Sequence, residues 1–250
     1  MEYQAIEESK SNGVTTITLS RPEALNAITR SMLEELVGAM KSAGKDDDTR
    51  FVVLTGSGRA FSAGVDLKDL GDRKLEDGSV GDYLDEPARR LIQIIQKIPK
   101  VVIARVNGFC FTGALEIALA CDLIVCANEA KLGDTHAKWG LRPSWGMSAR
   151  LVNAVGRRRA RELSFTAMTF TGEDAAAWGL ANRSVPIDRL DECVADYAEQ
   201  ICANSPGSIA AYKALYNKGG GRTEKKALQY EEEKHFDIPD TAERLAEFRK

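Results

Sequence analysis

The chain has 250 residues, 34 basic and 37 acidic side chains for a net charge of -3, and a hydrophobic fraction of 44%. That balance gives no electrostatic case for nucleic acid or an anionic surface. No apolar run approaches membrane-spanning length, and Met1-Glu2-Tyr3-Gln4-Ala5 lacks the basic and apolar regions of a secretory leader. Five cysteines with no C-x-x-C pair and only two histidines argue against a disulfide framework and a histidine metal site, so a reducing, cytoplasmic setting is expected.

Residues 3 to 20 alternate, most clearly in Val14-Thr15-Thr16-Ile17-Thr18-Leu19, which predicts a hairpin turning near Asn12-Gly13. The chain leaves the strand at Pro22. Thr29 or Ser31 then caps a helix with an apolar face of Met32, Leu33, Leu36, Val37 and Met40. Lys45-Asp46-Asp47-Asp48 reads as a solvated turn and Phe51-Val52-Val53-Leu54 as a buried strand. The glycine-rich turn from Gly56 to Leu67 does not complete a dinucleotide fingerprint, because Phe61 holds the third glycine position, and it contains no phosphate-loop lysine. It still lets a ligand approach the main chain closely. A short helix is expected from Asp66 to Leu70, leaving Val65 at a loop-to-helix junction with an N–H to offer. Residues 71 to 86 are polar and acidic and read as a mobile loop, after which Pro87 opens a long helix through Lys97.

The strand Val101-Val102-Ile103-Ala104 leads into the stretch from Asn107 to Asp122, whose second half is apolar or small except for Glu116. This predicts a short buried helix with Gly113 and Glu116 in its first turn. The first N–H groups of a helix have no internal partner and favour negative charge, so an N–H near Gly113 can serve an oxyanion beside a carboxylate. The alternative is a glutamate that merely complements the helix dipole. Leu123-Ile124-Val125-Cys126-Ala127 is another buried strand, so the order strand, strand, helix recurs through the first 130 residues. Asp134 to Gly146 is turn-rich and carries one imidazole, His136, which is open to a structural or a chemical role. Gly156 to Arg161 is a basic helix start, read as a solvated face with a phosphate contact as the minority view. Thr171 to Leu180 reads as a capped helix before a strand to Val185-Pro186. Helices are expected at roughly 188 to 203, 206 to 217, 223 to 236 and 240 to 249, with a hinge at Gly219-Gly220-Gly221. An appended helical region of this size commonly packs on another subunit.

Arg21-Pro-Glu-Ala-Leu-Asn-Ala27, Ala60-Phe-Ser-Ala-Gly-Val-Asp-Leu-Lys68, Asn107 to Ala118, Cys121-Asp122 and Pro143-Ser-Trp-Gly146 together resemble the enoyl-CoA hydratase/isomerase (crotonase) family. The motifs fall in the family's order from about residue 5 to 248. The resemblance implies an α/β fold. A spiral of repeated ββα units over residues 1–186 would bind acyl-CoA and carry catalysis, and a helical region over 187–250 would serve oligomerisation and active-site completion. It implies a homotrimer or homohexamer, a coenzyme A thioester as substrate, and no further cofactor or metal.

By the same resemblance the main-chain N–H groups of Val65 and Gly113 form an oxyanion hole, and Ala24, Leu25, Ala63, Asp66, Leu67 and Lys68 line the CoA channel. Glu116 falls on one of the two hydratase glutamates, whereas His136 holds the position of the other, and the family's triple glycine is reduced to Thr112-Gly113-Ala114. The implied reaction is hydration of a trans-2-enoyl-CoA to the 3-hydroxyacyl-CoA in fatty acid metabolism, with Glu116 activating water and His136 delivering the proton. The alternatives are decarboxylation of a malonyl- or alkylmalonyl-CoA, double-bond isomerisation, thioester hydrolysis, and a non-enzymatic scaffold or RNA-binding member using Arg157 to Arg161.

Overall fold

The computed structural model describes residues 3–73 and 75–248. Met1 and Glu2 of the leader comparison, Lys74 of the expected loop, Arg249 of the last expected helix and Lys250 lie outside the described residues.

The alternation at the start of the chain becomes β1 (Ile6–Ser11) and β2 (Val14–Leu19), paired antiparallel around Asn12 and Gly13 at φ of 50° and 77°. Two central residues at positive φ give the turn whose twist matches its flanking strands. β3 (Phe51–Gly56), buried at every residue, runs parallel to β2 and to β5 (Val101–Val106). With β7 (Leu123–Ala127) and β10 (Arg183–Val185) these form one six-stranded sheet in the order β1-β2-β3-β5-β7-β10. The short strands β4 (Ala60–Ser62), β6 (Phe109–Phe111), β8 (Lys131–Gly133) and β9 (Phe170–Thr171) form a second, four-stranded sheet. Successive turns of the chain therefore add one strand to each sheet, mostly parallel, and the result is the expected spiral of ββα units.

α1 (Arg30–Lys45) is capped by Thr29, whose Oγ1 accepts from Met32 N at 3.2 Å, and all five of its expected apolar residues are buried. Removing such a cap costs about 1 kcal/mol. α2 (Asp82–Lys97) corrects the sequence reading: it starts before Pro87, which lies inside it, and its first turns replace the end of the expected loop. A proline in a helix leaves the carbonyl four residues back without its donor. Here that carbonyl belongs to Tyr83, and Arg30 Nη1 donates to it at 2.7 Å, so α1 supplies what the proline removes.

A second correction concerns Asp66 to Leu70, which form consecutive turns rather than a helix. Asp69 N bonds Asp66 O at 3.0 Å and Gly71 N bonds Lys68 O at 3.1 Å. The Asp66 side chain accepts from Lys68 N at 3.1 Å and pairs with Arg21 at 3.1 Å, the kind of local side-chain bonding that competes with a helix. Val65 is therefore not at a helix start; it forms a parallel bridge with Ile28.

α3 (Gly113–Ala118) is buried throughout, as its composition predicts. α4 (Met147–Thr166) is broken at Gly156 (φ 74°, ψ 164°), so the basic stretch opens its second half. α5 (Gly172–Ala177) has a capping box between Thr171 and Asp174. The remaining helices are α6 (Leu190–Ala203), α7 (Pro206–Gly219), α8 (Glu224–Glu233) and α9 (Thr241–Phe248). α6 packs against β3 and β7, and α7 against α2 and β5. Lys213 of α7 is buried and donates to Lys100 O and Asp122 Oδ2, both at 2.7 Å.

Candidate active site

Two glycine turns meet where β4 and β6 end. A Cβ on Gly64 would lie 2.3 Å from Thr112 Oγ1, and one on Gly113 would lie 2.5 Å from the Trp145 ring. Neither position has room for a side chain, so the main chain itself forms the wall of the site. Gly64 O accepts from Ile28 N at 2.8 Å and Asp66 N donates to Ile28 O at 2.9 Å, which holds Val65 between them. Gly113 opens α3, where an N–H has no helical acceptor. No hydrogen bond among the described residues satisfies the N–H of Val65 or of Gly113. Both residues line one cavity of about 150 Å³, together with Ala63, Leu67, Glu116, His136 and Trp145.

Glu116, 1% exposed, stands on the first turn of α3. Its Oε1 accepts from Trp145 N and Met147 N, each at 2.9 Å, which leaves Oε2 facing His136 Nε2 at 3.6 Å. Burial dominates and raises the Glu116 carboxyl above its ordinary value, against the opposing hydrogen bonds from Met147 and Trp145 and the charge of His136. His136 is 9% exposed and starts a short 3-10 turn, with Nδ1 at 2.6 Å from Asp134 Oδ1. Ser164 Oγ in turn donates to Asp134 Oδ2 at 2.6 Å. Burial pushes the Asp134 carboxyl up, but the bonds from His136 and Ser164 together outweigh it and hold the group below its ordinary value. An ionised Asp134 fixes Nδ1 as the protonated nitrogen and leaves Nε2 as the one that exchanges a proton in the cavity.

The structure thus brings Glu116, His136, Val65 and Gly113 to one space, with Ala63 and Leu67 on its wall. Ala24, Leu25, Asp66 and Lys68 do not line that cavity. They lie on the adjoining pair of loops, tied by Ala63 N to Leu25 O at 2.9 Å and by the Arg21–Asp66 ion pair. Sequence reasoning missed Asp134 and Ser164. Asp134 had a signal, since it stands two residues before the only imidazole of its segment. Ser164 comes from α4 and carries no local signal at all.

A family model described as enoyl-CoA hydratase/isomerase matches residues 9–247 of the chain. A probable peroxisomal enoyl-CoA hydratase of Arabidopsis thaliana is 36% identical over 212 residues, 85% of this chain and 78% of that protein. A probable mitochondrial enoyl-CoA hydratase of Dictyostelium discoideum is 32% identical over 222 residues, 89% of this chain and 78% of the relative. Among solved structures, the enoyl-CoA hydratase of Bacillus anthracis superposes with a TM-score of 0.86 at 31% identity, over 92% of this chain and 88% of that one.

Proposed function

Because the chain belongs to the enoyl-CoA hydratase/isomerase family, we propose that its site hydrates a trans-2-enoyl-CoA to the 3-hydroxyacyl-CoA. It is an acyl-CoA enzyme of the hydratase kind. The observation that carries this reading is the approach of Glu116 Oε2 and His136 Nε2, 3.6 Å apart, in the cavity also lined by Val65 and Gly113, whose main-chain N–H groups no hydrogen bond among the described residues satisfies.

The thioester oxygen accepts from Val65 N and Gly113 N, and each such donor is typically worth about 3 kcal/mol once negative charge develops. Glu116, with one oxygen held by Trp145 and Met147, uses the other to take a proton from water as its oxygen adds to C3. The electron pair moves onto the thioester as an enolate. His136 enters as the imidazolium, with Nδ1 bonded to Asp134, and gives its Nε2 proton to C2; the proton held by Glu116 then crosses the 3.6 Å gap to Nε2, which restores the starting state. Water is consumed whole, and no step calls on a metal or a second cofactor.

The CoA moiety belongs on the paired loops that carry Ala24, Leu25, Ala63, Asp66, Leu67 and Lys68, with Lys68 exposed in its turn to meet a phosphate as a point charge. Residues 1–186 form the catalytic part and 187–250 the assembling part of a homotrimer or homohexamer. Support comes from Tyr212 and Tyr216 on α7, Leu228 on α8 and Leu245 on α9, all at least half exposed. The free thiols of Cys110, Cys121, Cys126, Cys193 and Cys202 support a reducing compartment, and the cytoplasm is the one proposed.

Decarboxylation of a malonyl- or alkylmalonyl-CoA stands as a second reading on one observation. Glu116, with its raised pKa, is neutral over a wider pH range than an ordinary glutamate and over that range does not repel a substrate carboxylate. Incubation with crotonyl-, 3-enoyl-, methylmalonyl- and ethylmalonyl-CoA, read by mass spectrometry, decides between them. Gain of ~18 mass units is hydration and loss of ~44 is release of CO2 in this acid–base chemistry. No product from crotonyl-CoA would overturn the proposal.

A further inference from the structure

We infer that Asp85 of α2 is a positioning residue for this site: through the Trp145 indole it anchors the segment that orients Glu116 and covers Gly113. Asp85 is 1% exposed. Its Oδ1 accepts from Trp145 Nε1 and Ser144 Oγ, both at 2.7 Å, and its Oδ2 from Ser79 Oγ at 2.9 Å and Arg89 Nη2 at 3.0 Å. A buried carboxylate persists only where donors replace its water, and here both oxygens are doubly engaged.

Two of those donors belong to residues that line the catalytic cavity, Ser144 and Trp145. Trp145 touches both halves of the proposed chemistry. Its main-chain N–H holds Glu116 Oε1 at 2.9 Å, and its ring lies where a Cβ on Gly113 would come within 2.5 Å. Its single side-chain donor goes to Asp85. A rigid helix therefore reaches the carboxylate and the oxyanion donor through one indole. The anchor decides which Glu116 oxygen is held and which is left to face His136, and a misplacement of this kind far from the reacting atoms is costly in rate.

The inference rests on the hydration reading for its kinetic readout only, so a second readout is independent of turnover. Asp85→Ala removes the anchor, whereas Asp85→Asn keeps an oxygen that can accept from Trp145 and Ser144. Both substitutions remove the same charge. His136, Asp134 and Arg150 are the charged or titratable groups whose fields reach Glu116, and both variants leave all three in place. The main-chain donors Trp145 and Met147 oppose the effect of burial on Glu116, so their loss drives its pKa further up.

For Asp85→Ala the expected result with crotonyl-CoA is a kcat lower by about 10- to 100-fold. KM should stay within about twofold, since a transition-state interaction rather than ground-state binding is lost. The acid limb of the kcat profile should move to higher pH, and Asp85→Asn should restore both. The second readout is the 13C carboxyl titration of Glu116, assigned by difference from Glu116→Gln. Its midpoint should rise in Asp85→Ala and not in Asp85→Asn. An unchanged titration in Asp85→Ala, or equal shifts in the two variants, overturns the inference. Should Asp85→Ala fail to fold by circular dichroism, Trp145→Phe, which deletes the indole N–H together with one ring and keeps the main-chain donor, is held to the same expected upward shift. An enzyme inactive on crotonyl-CoA refutes the hydration reading while the titration still decides the anchor.

Discussion

Glu116 shows how one residue is shaped by contacts from three separate segments. α3 supplies its position, the start of α4 holds one oxygen, and His136 faces the other. Glu116→Gln keeps the shape but removes the base, so turnover of crotonyl-CoA should fall by roughly 10² to 10⁴ with acyl-CoA affinity retained, measured by stopped assay and calorimetry. His136→Ala should cost less than this in a hydratase, because water replaces a proton donor more readily than a positioned base. The order should reverse in a decarboxylase, where His136 quenches the enolate. The pH dependence has a definite sign. Burial raises the folded pKa of Glu116 above its ordinary 4.5, so the protonated form is favoured by folding. That contribution is complete below the unfolded pKa and is lost as pH rises through the folded one. Chemical denaturation from pH 4.5 upward should show Glu116→Gln gaining stability relative to the parent, and a pH-independent difference would contradict it.

At the scale of elements, strain is concentrated at the entry to α3. Thr112 adopts φ 47° and ψ -113°, a region that a β-branched residue avoids. Such a residue stores about 1 to 3 kcal/mol, held by its surroundings. Thr112→Gly removes the strain but adds freedom to the unfolded chain, typically about 0.5 to 1 kcal/mol, so a net stabilisation of about 1 kcal/mol is expected. A thermal melt should rise by about 2 to 4 °C for a chain of this size, with crotonyl-CoA turnover retained. A lower melting temperature would mean that the packing of Thr112 Oγ1 against Gly64 outweighs the strain. α2 shows the limit of proline as a punctuation mark: its helix continues through Pro87 because Arg30 satisfies the Tyr83 carbonyl. Nothing near residue 87 in the sequence announces an arginine 57 positions earlier in the chain.

For the whole molecule, the Asp122–Lys213 pair joins the C-terminal helices to the sheet. Burial is the leading cause both of the raised Asp122 and of the lowered Lys213, so each group sits where its charge is disfavoured and depends on the other. Lys213→Met leaves Asp122 without its cation. The Asp122 side chain keeps 23% of its surface in solvent, so the loss is smaller than for a fully buried pair, about 1 to 3 kcal/mol, which a urea midpoint will report; a loss below about 1 kcal/mol would mean that solvent screens Asp122. Exposed aromatic and aliphatic side chains on α7, α8 and α9 point to assembly. Light scattering at micromolar concentration should give a trimer or its double, and a fully active monomer would refute the proposed assembly.

The features legible in the sequence are those written locally. The Asn12-Gly13 hairpin, a cap at Thr29 or Ser31, of which the structure uses Thr29, the buried run of β3, and the short helix that opens at Gly113 beside Glu116 all depend on period, turn chemistry and helix ends. Which separated groups share a space was set by the packing of distant segments. It converted the expected 66–70 helix into turns by drawing Asp66 to Arg21, started α2 before Pro87, and set Ser164, Asp134 and His136 in one line with Glu116. It also buried Asp85 beneath Trp145. The physical reason is that a carboxylate in low dielectric needs donors, and the fold supplies them from whichever strand, helix or loop passes within 3 Å.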